Sequence, residues 1–301
     1  MNERPQIYLY GMTLITTSHR LRDRFPKPDD YSEIAESHSF PGGETGSCAI
    51  VLASLGCDIR LDGIHLGRKT WGPITEYFRG TPVDTSLMTY DDGFDGLEDM
   101  VILDSHTRNG FGMFERFHTE GGPRWNRPSR EAITACRAAG VDPYFAGQSD
   151  EAAQLCRELG KPFVTIDCKY DSEPHRLCSV NVLAGEFLRG AYPDADREEL
   201  FARYTEHTDG LTIFTSGTGD ILFGRRGQPI QRFQPYRVDV VSTLGAGDTF
   251  KAGTVYALAQ GMSDPDIVRF AAASAAVACT GYPLALHPPT LARVEELLAT
   301  R

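Results

Sequence analysis

The sequence lacks a long apolar run, and no segment is laid out as a secretory signal. None of its hydrophobic stretches approaches the roughly 20 consecutive apolar residues that a membrane-spanning helix needs. The N-terminal segment MNERPQIYLYGMTLI places a short apolar strand after a charged start, which is not the arrangement of a signal peptide. The sequence therefore predicts a cytoplasmic protein without a membrane partner.

Clusters of basic residues are also absent. The 301 residues include 30 Lys and Arg against 41 Asp and Glu, which gives a formal net charge of -11. A nucleic-acid-binding surface needs a positive patch to meet the phosphate backbone, so nucleic acid is not an expected partner. Small phosphorylated ligands are not excluded, because a nest of backbone N–H groups can bind an anion on an acidic protein.

The cysteines are scattered, and none forms part of a C-x-x-C motif. Their odd number is typical of free thiols in a reducing compartment. The histidines at positions 106, 118, 175 and 207 lack the spacing of a metal site. The sequence therefore predicts neither a disulfide framework nor a centre of His and Cys ligands. The seven cysteines stand at positions 48, 57, 136, 156, 168, 178 and 279.

Two common nucleotide-binding motifs are missing as well. The absence of G-x-x-x-x-G-K-[ST] argues against a P-loop. The absence of G-x-G-x-x-G between a strand and a helix argues against a dinucleotide-binding fold. If the chain handles phosphate, it must use another kind of anion site.

What the sequence does contain is a regular succession of short apolar runs. Residues 100–104 (MVILD), 163–167 (FVTID) and 211–215 (LTIFT) are rich in β-branched and aromatic side chains. Runs of this length and composition predict buried strands.

Helical patterns lie between these runs. Residues 129–139 and 150–159 have helical periodicity, the second with Asp150 as its N-cap and Gly160 just past its end. Strands that alternate with helices indicate a parallel sheet covered by helices. We expect a single α/β domain over residues 1–301, with a mainly parallel central sheet and helices on both faces.

Two regions interrupt the alternation. Residues 16–40 are polar and charged and contain two prolines, and residues 81–120 include the turn signal Asp91-Asp92-Gly93. Neither region has a helical period over most of its length. We expect both to form short strands and loops that project as a small β lid near an active site, ordinary surface insertions being the alternative.

The most informative segment is 238–261, VDVVSTLGAGDTFKAGTVYALAQG. Residues 238–241 predict a short strand, residues 245–247 a turn of small residues, and the apolar positions that follow a helix that ends at Gly261. The first N–H groups of such a helix face one point and attract an anion. The segment therefore predicts a phosphate site at the start of the helix.

Asp248, in the first turn of this helix, is the candidate catalytic residue. A nest made by Gly245, Ala246 and Gly247 can stabilise the charge of a phosphoryl group in transfer. The carboxylate of Asp248 can take the proton from the attacking hydroxyl. An Asp at a helix start is also favoured by the helix dipole alone, which is the structural alternative.

The motif LGAGDTF after a V-x-V-V run resembles the C-terminal signature of the ribokinase-like (PfkB) carbohydrate kinases. Residues 41–56, PGGETGSCAIVLASLG, are similar to the N-terminal signature of that family, a Gly-Gly pair followed by a helix of small and apolar residues. The resemblance implies a three-layer ribokinase-like fold in which Gly42 and Gly43 approach the sugar. Taken alone, the glycine pair also suits a plain loop-to-helix turn.

Two further elements follow in the order of the family. Residues 214–224, FTSGTGDILFG, resemble the strand–loop–strand that covers the nucleotide, and residues 269–280, RFAAASAAVACT, resemble the helix beside the adenine. For an alanine in that helix, packing between helices is an equal alternative. The resemblance implies ATP contacts at Thr215, Ser216, Gly217, Gly219 and Ala272.

The chain departs from the family at the substrate positions. Thr16 stands where the family has an Asp near the end of the first strand, and Ser47 replaces an Asn. Both changes shorten the polar reach, and we expect Glu44 to restore part of the hydrogen bonding. Arg108 is a further candidate, and an acidic substrate is favoured if it faces the pocket. A changed pattern of polar groups predicts a substrate other than ribose or fructose in the common pose.

The metal-binding elements of the family are altered too. Its N-x-x-E element, tied to magnesium and phosphate, aligns with Asn181, but the fourth position is Ala184 and the nearest acid is Glu186. The family's Asp linked to a monovalent cation is Ser242 here, which weakens the case for potassium. We expect Mg²⁺ to arrive with ATP, with Asn181 and Glu186 as candidate ligands.

Together the resemblances imply an ATP-dependent kinase that phosphorylates a hydroxyl of a sugar or sugar-like molecule, with Asp248 as general base. The alternatives are a nucleoside kinase, which would use lid aromatics such as Phe111, Phe114 and Phe117 to stack on a base, and a non-catalytic metabolite-binding protein, which the substitutions at the site would suit. The resemblance also implies a homodimer that pairs through the lid, because exposed strand edges favour pairing.

Overall fold

The computed structural model describes residues 4–104 and 107–301, so His106 lies outside the described residues. The strands are β1 (Gln6–Gly11), β2 (Leu14–Leu21), β3 (Ile34–Gly42), β4 (Asp58–Gly63), β5 (Val83–Asp84), β6 (Glu98–Leu103), β7 (Arg108–Gly112), β8 (Ala138–Val141), β9 (Phe163–Ile166), β10 (Val180–Leu183), β11 (Leu211–Phe214), β12 (Ile221–Gly224) and β13 (Gln231–Phe233). The helices are α1 (Gly43–Ser54), α2 (Trp71–Phe78), α3 (Phe114–Thr119), α4 (Arg130–Ala135), α5 (Ala146–Glu158), α6 (Glu173–Leu177), α7 (Gly185–Ala191), α8 (Arg197–Glu206), α9 (Ala246–Ala259), α10 (Asp264–Ala278) and α11 (Leu291–Leu298).

Nine strands form the main sheet in the order β13-β12-β11-β10-β9-β8-β1-β4-β5. The strands from β11 to β5 in this order run parallel, and β12 and β13 are antiparallel additions at one edge. The central strands β8, β9, β10 and β11 are buried along their whole length, as expected for parallel strands covered on both faces. The predicted α/β fold with a mainly parallel sheet is confirmed.

The order of the strands reverses at β1. This reversal decides which face of the sheet each helix covers and where a ligand can bind. Parallel strands are joined by right-handed crossovers, so α1, between β1 and β4, and α5, between β8 and β9, cover opposite faces. Helix α1 packs against α9, and α9 packs against α10. Ligands bind such sheets in the crevice at the carboxyl ends of the strands where the order reverses, here β1 and β8. No helix in the described ranges is long and apolar enough to span a membrane.

The four remaining strands form a second sheet, in the order β3-β2-β6-β7, which we call the lid. Its strands lie mostly within residues 16–40 and 81–120, the two regions expected to form a lid. β2 begins at Leu14, β3 ends at Gly42, and the second region also supplies β5 and α3. Residues 100–104 were expected in a buried strand, but they belong to lid strand β6 and are only partly buried. The hydroxyl of Tyr282 donates to Ser18 Oγ at 2.8 Å and joins the lid to the main body.

The predicted helix over residues 129–139 is wrong in its second half. Helix α4 ends at Ala135, and Ala138 and Ala139 pair with β1 in the centre of the sheet. Alanine favours helices, but pairing with a buried neighbouring strand overrides that weak local preference.

The predicted N-cap of the next helix is also wrong. Helix α5 begins at Ala146, so Asp150 lies inside it. Ser149 organises the start instead, because its Oγ accepts from the Phe145 N–H at 3.0 Å and donates to the Asp142 carbonyl at 2.7 Å. These bonds depend on the end of β8, which no local capping pattern reveals.

Residues 238–241 do not form the predicted strand. Val240 and Val241 are 58% and 43% exposed, and the N–H groups of Val241 and Ser242 donate to the carbonyl of Cys279 at the end of α10. The valines favour extended backbone, but in the described structure the segment pairs with no strand of either sheet.

Candidate active site

The starts of two helices meet at the carboxyl edge of the main sheet. Helix α1 begins after Gly42, helix α9 begins after Gly245, and the two helices pack side by side. Ser47 of α1 lies close enough to the carboxylate of Asp248 in α9 to lower its pKa. The two signatures found in the sequence, about 200 positions apart, are therefore brought to one place.

The turn before α9 has the geometry of an anion site. Gly245 has φ +79°, and a Cβ there would lie 2.7 Å from Leu284 Cδ2, so glycine is required. Gly247 is exposed, and a Cβ there would meet no atom of the described structure within 4 Å. The first N–H groups of an α-helix have no intrahelical partner. The N–H of Ala246 donates to the Thr243 carbonyl at 3.2 Å, so the open space for a phosphate lies beside the remaining N–H groups of this first turn.

Asp248 is partly buried beside this turn. Desolvation is the largest influence and raises the pKa of Asp248 to about 6, whereas the ammonium group of Lys251 and the hydrogen bond from Ser47 lower it. The carboxyl is thus ionised near neutral pH but more basic than an exposed Asp, a combination that suits a general base.

The glycine pair at the start of α1 allows close packing with the lid. A Cβ on Gly42 would lie 1.9 Å from Thr16 Oγ1, and a Cβ on Gly43, whose φ is +73°, would lie 2.6 Å from the Met12 carbonyl. Thr16 was matched to the end of the first strand, but β1 ends at Gly11 and Thr16 lies on lid strand β2. Thr16 therefore contacts the site from the lid.

Glu44 turns its carboxyl towards the same site. Its Oε1 accepts from the Tyr144 hydroxyl at 3.2 Å, while its Oε2 is buried without a hydrogen-bond partner among the described residues. Burial, followed by the nearby carboxylates of Asp142 and Asp248, raises the pKa of Glu44 to about 8. Glu44 is therefore largely protonated at neutral pH and has one oxygen left for a ligand.

Asp99, which sequence reasoning missed, adds a carboxyl from the lid. It lies opposite Thr16 in the pairing of β2 with β6, and a hydrogen bond from Thr16 partly offsets the rise in the pKa of Asp99 caused by burial. Its Oδ1 is buried and has no partner within the described structure. No local pattern in the sequence indicates Asp99 as a site residue, because its position beside Thr16 depends on the pairing of β2 with β6.

Beneath the site lies an ion pair that was also missed. Lys251 and Asp142 form a salt bridge in which both side chains are fully buried. The other Asp142 oxygen accepts from the Met12 N–H at 2.9 Å and from Thr45 Oγ1 at 2.6 Å. The signal available in the sequence was a lysine inside an otherwise apolar helix, three residues after Asp248.

Arg108 reaches the site from lid strand β7. Its guanidinium donates to the Thr243 carbonyl at 2.9 Å and to both carboxylate oxygens of Glu186 at 3.1 Å. Its charge lowers the pKa of Asp248, which places it near the site. Two of its three guanidinium nitrogens are therefore already engaged with the main body.

The predicted nucleotide loop lies between β11 and β12, which pair antiparallel as expected for a strand–loop–strand. Gly217 has φ +55°, and the N–H of Gly219 donates to the Ser216 carbonyl at 2.8 Å, which closes a tight turn. Thr215 and Ser216 are partly buried beside this exposed turn. Ala272 is buried in the main core, which fits the packing alternative for that residue.

The metal prediction is corrected at Asn181. This residue is fully buried in β10, and its amide donates to His175 Nδ1 at 2.9 Å and to the Cys168 carbonyl at 3.3 Å. A side chain enclosed in the core is not accessible to a metal that arrives with ATP, so the structure does not support Asn181 as a ligand. Asn181 lies within β10, not in the loop that follows this strand.

Two other carboxylates fit magnesium better. Glu186 is exposed at the start of α7, and Asp167 follows β9 with φ +48° and accepts from the Ala184 N–H at 2.7 Å. Burial, with a smaller contribution from Asp248, raises the pKa of Asp167 to about 7. Magnesium needs only one or two protein carboxylates when phosphates and water complete its shell. Across the described ranges, no three His, Cys, Asp or Glu side chains are grouped to hold a metal by themselves.

Comparison with known proteins identifies the family of the chain. The family model of the pfkB family carbohydrate kinases matches residues 5–290. A 5-dehydro-2-deoxygluconokinase of Bacillus anthracis is 29% identical over 294 residues, which cover 87% of this chain and 86% of the relative. A nucleoside kinase of Methanothermobacter thermautotrophicus is 24% identical over 272 residues, which cover 84% and 82%.

The solved structures confirm the predicted ribokinase-like fold. The structure of Arabidopsis thaliana ribokinase complexed with ribose and ATP has a TM-score of 0.81 to this chain at 17% identity, and the match covers 98% of this chain and 99% of that chain. The family match extends over most of the chain and includes both glycine-rich signatures. The chain is therefore a phosphotransferase that uses an alcohol group as acceptor, and it belongs to the pfkB family of carbohydrate kinases.

Proposed function

We propose that this kinase transfers the γ-phosphoryl group of ATP to a hydroxyl of an uncharged sugar or polyol, with Asp248 as the general base. The observation that supports this most strongly is the start of α9. There a partly buried carboxylate stands next to an open glycine turn and contacts the helix that begins with the Gly-Gly pair. A base, an anion site and a substrate surface therefore converge within one crevice.

In the proposed reaction the acceptor hydroxyl lies between α1 and the start of α9. Asp248 accepts its proton as the oxygen attacks, and the N–H groups at residues 245–247 stabilise the charge on the phosphoryl group in transfer. Magnesium, when bound with ATP, would neutralise phosphate charge, and Asp167 would hold it, since both oxygens of Glu186 already accept from Arg108. The lid would exclude water from the site.

The polar groups of the site favour an acceptor rich in hydroxyls. Glu44 Oε2 and Asp99 Oδ1 are buried oxygens without partners in the described structure. Buried polar oxygens without a partner cost free energy. An acceptor hydroxyl, which can donate to Asp99 Oδ1 and accept from the protonated carboxyl of Glu44, would therefore be favourable there. Because Arg108 is engaged by Glu186 and Lys251 by Asp142, the site has no free cation among the described residues for an anionic substrate.

A nucleoside acceptor is the second candidate, since one relative is named as a nucleoside kinase. Two of the three lid aromatics do not support it. Phe117 is buried in the core, and Phe111 lies opposite Met100 in the lid, on the face opposite to the Asp99 and Arg108 positions. Phe114 is the ring on the Asp99 side, because a Cβ on Gly112 would lie 3.3 Å from Phe114 Cδ2 and 3.5 Å from Asp99 Cβ.

An acceptor panel tests the proposal. Purified protein with ATP and Mg²⁺ is incubated with sugars, polyols, nucleosides and sugar acids, including 5-dehydro-2-deoxygluconate, and phosphorylated products are measured by mass spectrometry. We expect product from at least one uncharged sugar or polyol. Exclusive use of a sugar acid or a nucleoside would contradict the proposed substrate class.

The panel also addresses the non-catalytic alternative. The same compounds are added with a non-hydrolysable ATP analogue while the melting temperature is measured, because ligands that bind the folded state raise it. A compound that raises the melting temperature but gives no product with ATP would support a metabolite-binding protein instead of an enzyme.

A further inference from the structure

The buried ion pair between Lys251 and Asp142 has no counterpart elsewhere in the described structure. Both side chains are 0% exposed, whereas every other salt bridge has substantial exposure on both partners. Burying two charges costs several kcal/mol each unless geometry and further hydrogen bonds compensate. A buried pair of this kind adds little net stability, so another role is expected.

The contacts of the pair identify that role. Asp142 follows β8 at the crevice, and its second oxygen accepts from the Met12 N–H and the Thr45 hydroxyl. Met12 and Thr13 are the two residues that link β1 of the main sheet to β2 of the lid. The Met12 carbonyl in turn accepts from the N–H of Thr45 at 3.0 Å. Asp142 thus joins the lid hinge to the start of α1.

Lys251 connects this cluster to the catalytic helix. It lies one turn after Asp248 on α9, so its bond to Asp142 ties α9 to both α1 and the hinge. One glycine makes room for the cluster. A Cβ on Gly11 would lie 1.9 Å from Asp142 Oδ2 and 2.4 Å from Thr45 Oγ1.

We propose that Asp142 and Lys251 are positioning residues, whose buried pair fixes the catalytic helix α9 against the substrate helix α1 and the hinge of the lid. The proposal rests on the role of Asp248 as base under the proposed function. Neither residue needs to touch the substrate, because both act through Asp248, Thr45 and Met12. A displacement of about 1 Å in such an arrangement can reduce turnover by about 10²-fold.

Electrostatics supports the same assignment. The ammonium group of Lys251 is the strongest influence that lowers the pKa of Asp248, and it also lowers the pKa of Glu44. Replacement of Lys251 by a neutral residue should therefore raise the pKa of Asp248. The charged groups that act on Asp248 from the elements around it are Glu44 on α1, Asp142 after β8, Asp167 after β9, Arg108 on β7 and Lys251 on α9.

The first test needs no acceptor. Unfolding by urea is measured at pH 5 and pH 8 for wild type, Asp248→Asn, Lys251→Met and the double variant, and the coupling between the two positions is taken from the cycle. We expect favourable coupling at pH 8, where Asp248 is ionised, and much less at pH 5. Equal coupling at both pH values, or none, would overturn the electrostatic part of the proposal.

Lys251→Met alone leaves Asp142 buried and unpaired, and that protein is expected to be strongly destabilised. The double variant Asp142→Asn/Lys251→Met removes both charges and keeps similar volumes, so it should regain most of the melting temperature. If the single variant does not fold, the cycle with Asp248→Asn is run against this double variant.

The second test uses the best acceptor of the panel. We expect Asp142→Asn/Lys251→Met to lower kcat by at least ~10-fold and to raise KM for the acceptor more than KM for ATP. The matched control is Arg225→Met/Asp264→Asn, which removes a more exposed ion pair between Arg225, just after β12, and Asp264 of α10. Normal kinetics in a stable Asp142→Asn/Lys251→Met protein would show that the pair is only structural. Normal turnover in Asp248→Asn would instead refute the proposed base.

Discussion

Asp248 carries the chemistry proposed for this kinase, and exchange for Asn tests that role at the scale of one residue. Asn keeps the size and the position at the start of α9 but does not accept a proton at neutral pH. We expect kcat to fall by at least ~10²-fold while nucleotide affinity changes little. The measurements are steady-state kinetics and calorimetric titration with an ATP analogue.

A second aspartate provides the control for this exchange. Asp266 also lies in the first turn of a helix, α10, where its carboxylate accepts from Ser263 Oγ, and it is exposed. Asp266→Asn should change the melting temperature slightly and leave kcat normal, since a charge near a helix start is worth ~0.3–1 kcal/mol. If Asp248→Asn behaves in the same way, Asp248 is a helix-capping residue and not the base.

The environment of Asp248 also predicts how activity depends on pH. Burial raises its pKa from 3.8 to about 6, so the carboxylate is lost as the pH falls through this value. A base must be deprotonated to act, and kcat/KM should therefore decrease about tenfold per pH unit below about pH 6. A profile of kcat/KM between pH 5 and 9 measures this. The acidic decline should be absent from the residual activity of Asp248→Asn, and its persistence there would assign it to another group.

At the scale of the element, ATP binding at the start of α9 should tolerate no side chain at position 247. A valine there would project into the open space proposed for phosphate, although nothing in the described structure clashes with it. We expect Gly247→Val to abolish ATP binding and turnover while the fold persists. Circular dichroism and titration with an ATP analogue measure the two outcomes.

Helix α5 offers a matched control for this change. Gly147 is likewise the second residue of its helix, and a Cβ there also meets no atom of the described structure within 4 Å. Gly147→Val should cost similar stability and leave ATP binding intact. Unchanged ATP binding in Gly247→Val would show that the turn is not the anion site.

Gly245→Val is expected to impair folding instead, because Gly245 has a φ of +79° and a side chain there would meet Leu284.

At the scale of the whole molecule, we predict a homodimer that pairs through the lid. β3 and β7 are edge strands, and Phe111 and Met113 beside the second edge are 47% and 48% exposed. An exposed edge with apolar side chains favours pairing with a second copy. Sedimentation velocity at micromolar concentration should show a dimer in the wild type and a monomer in Phe111→Asp. Leu286→Asp, at an exposed position outside the lid, is the control and should remain dimeric.

The sequence by itself was enough to predict the small-residue turn at the start of α9, the parallel sheet and the lid. Gly245 and Gly247 around the start of α9 could be recognised because a phosphate turn needs small residues at those places, whatever the rest of the chain does. The alternation of apolar runs with helices likewise sufficed for the parallel sheet, and the polar interruptions for the lid. These features are set by neighbours within a few positions, so the sequence alone predicts them.

The tertiary structure alone decided which distant groups share the site. Lys251 and Asp142 are 109 positions apart, and nothing local distinguishes the pair before β8 and α9 pack together. The same holds for Asp99 beside Thr16 and for Asn181, which the fold turns into the core. Residues 138–141 become a strand only because β1 lies beside them. Burial and strand pairing are properties of the assembled layers, and they override local preferences wherever a buried neighbour supplies hydrogen bonds or charge.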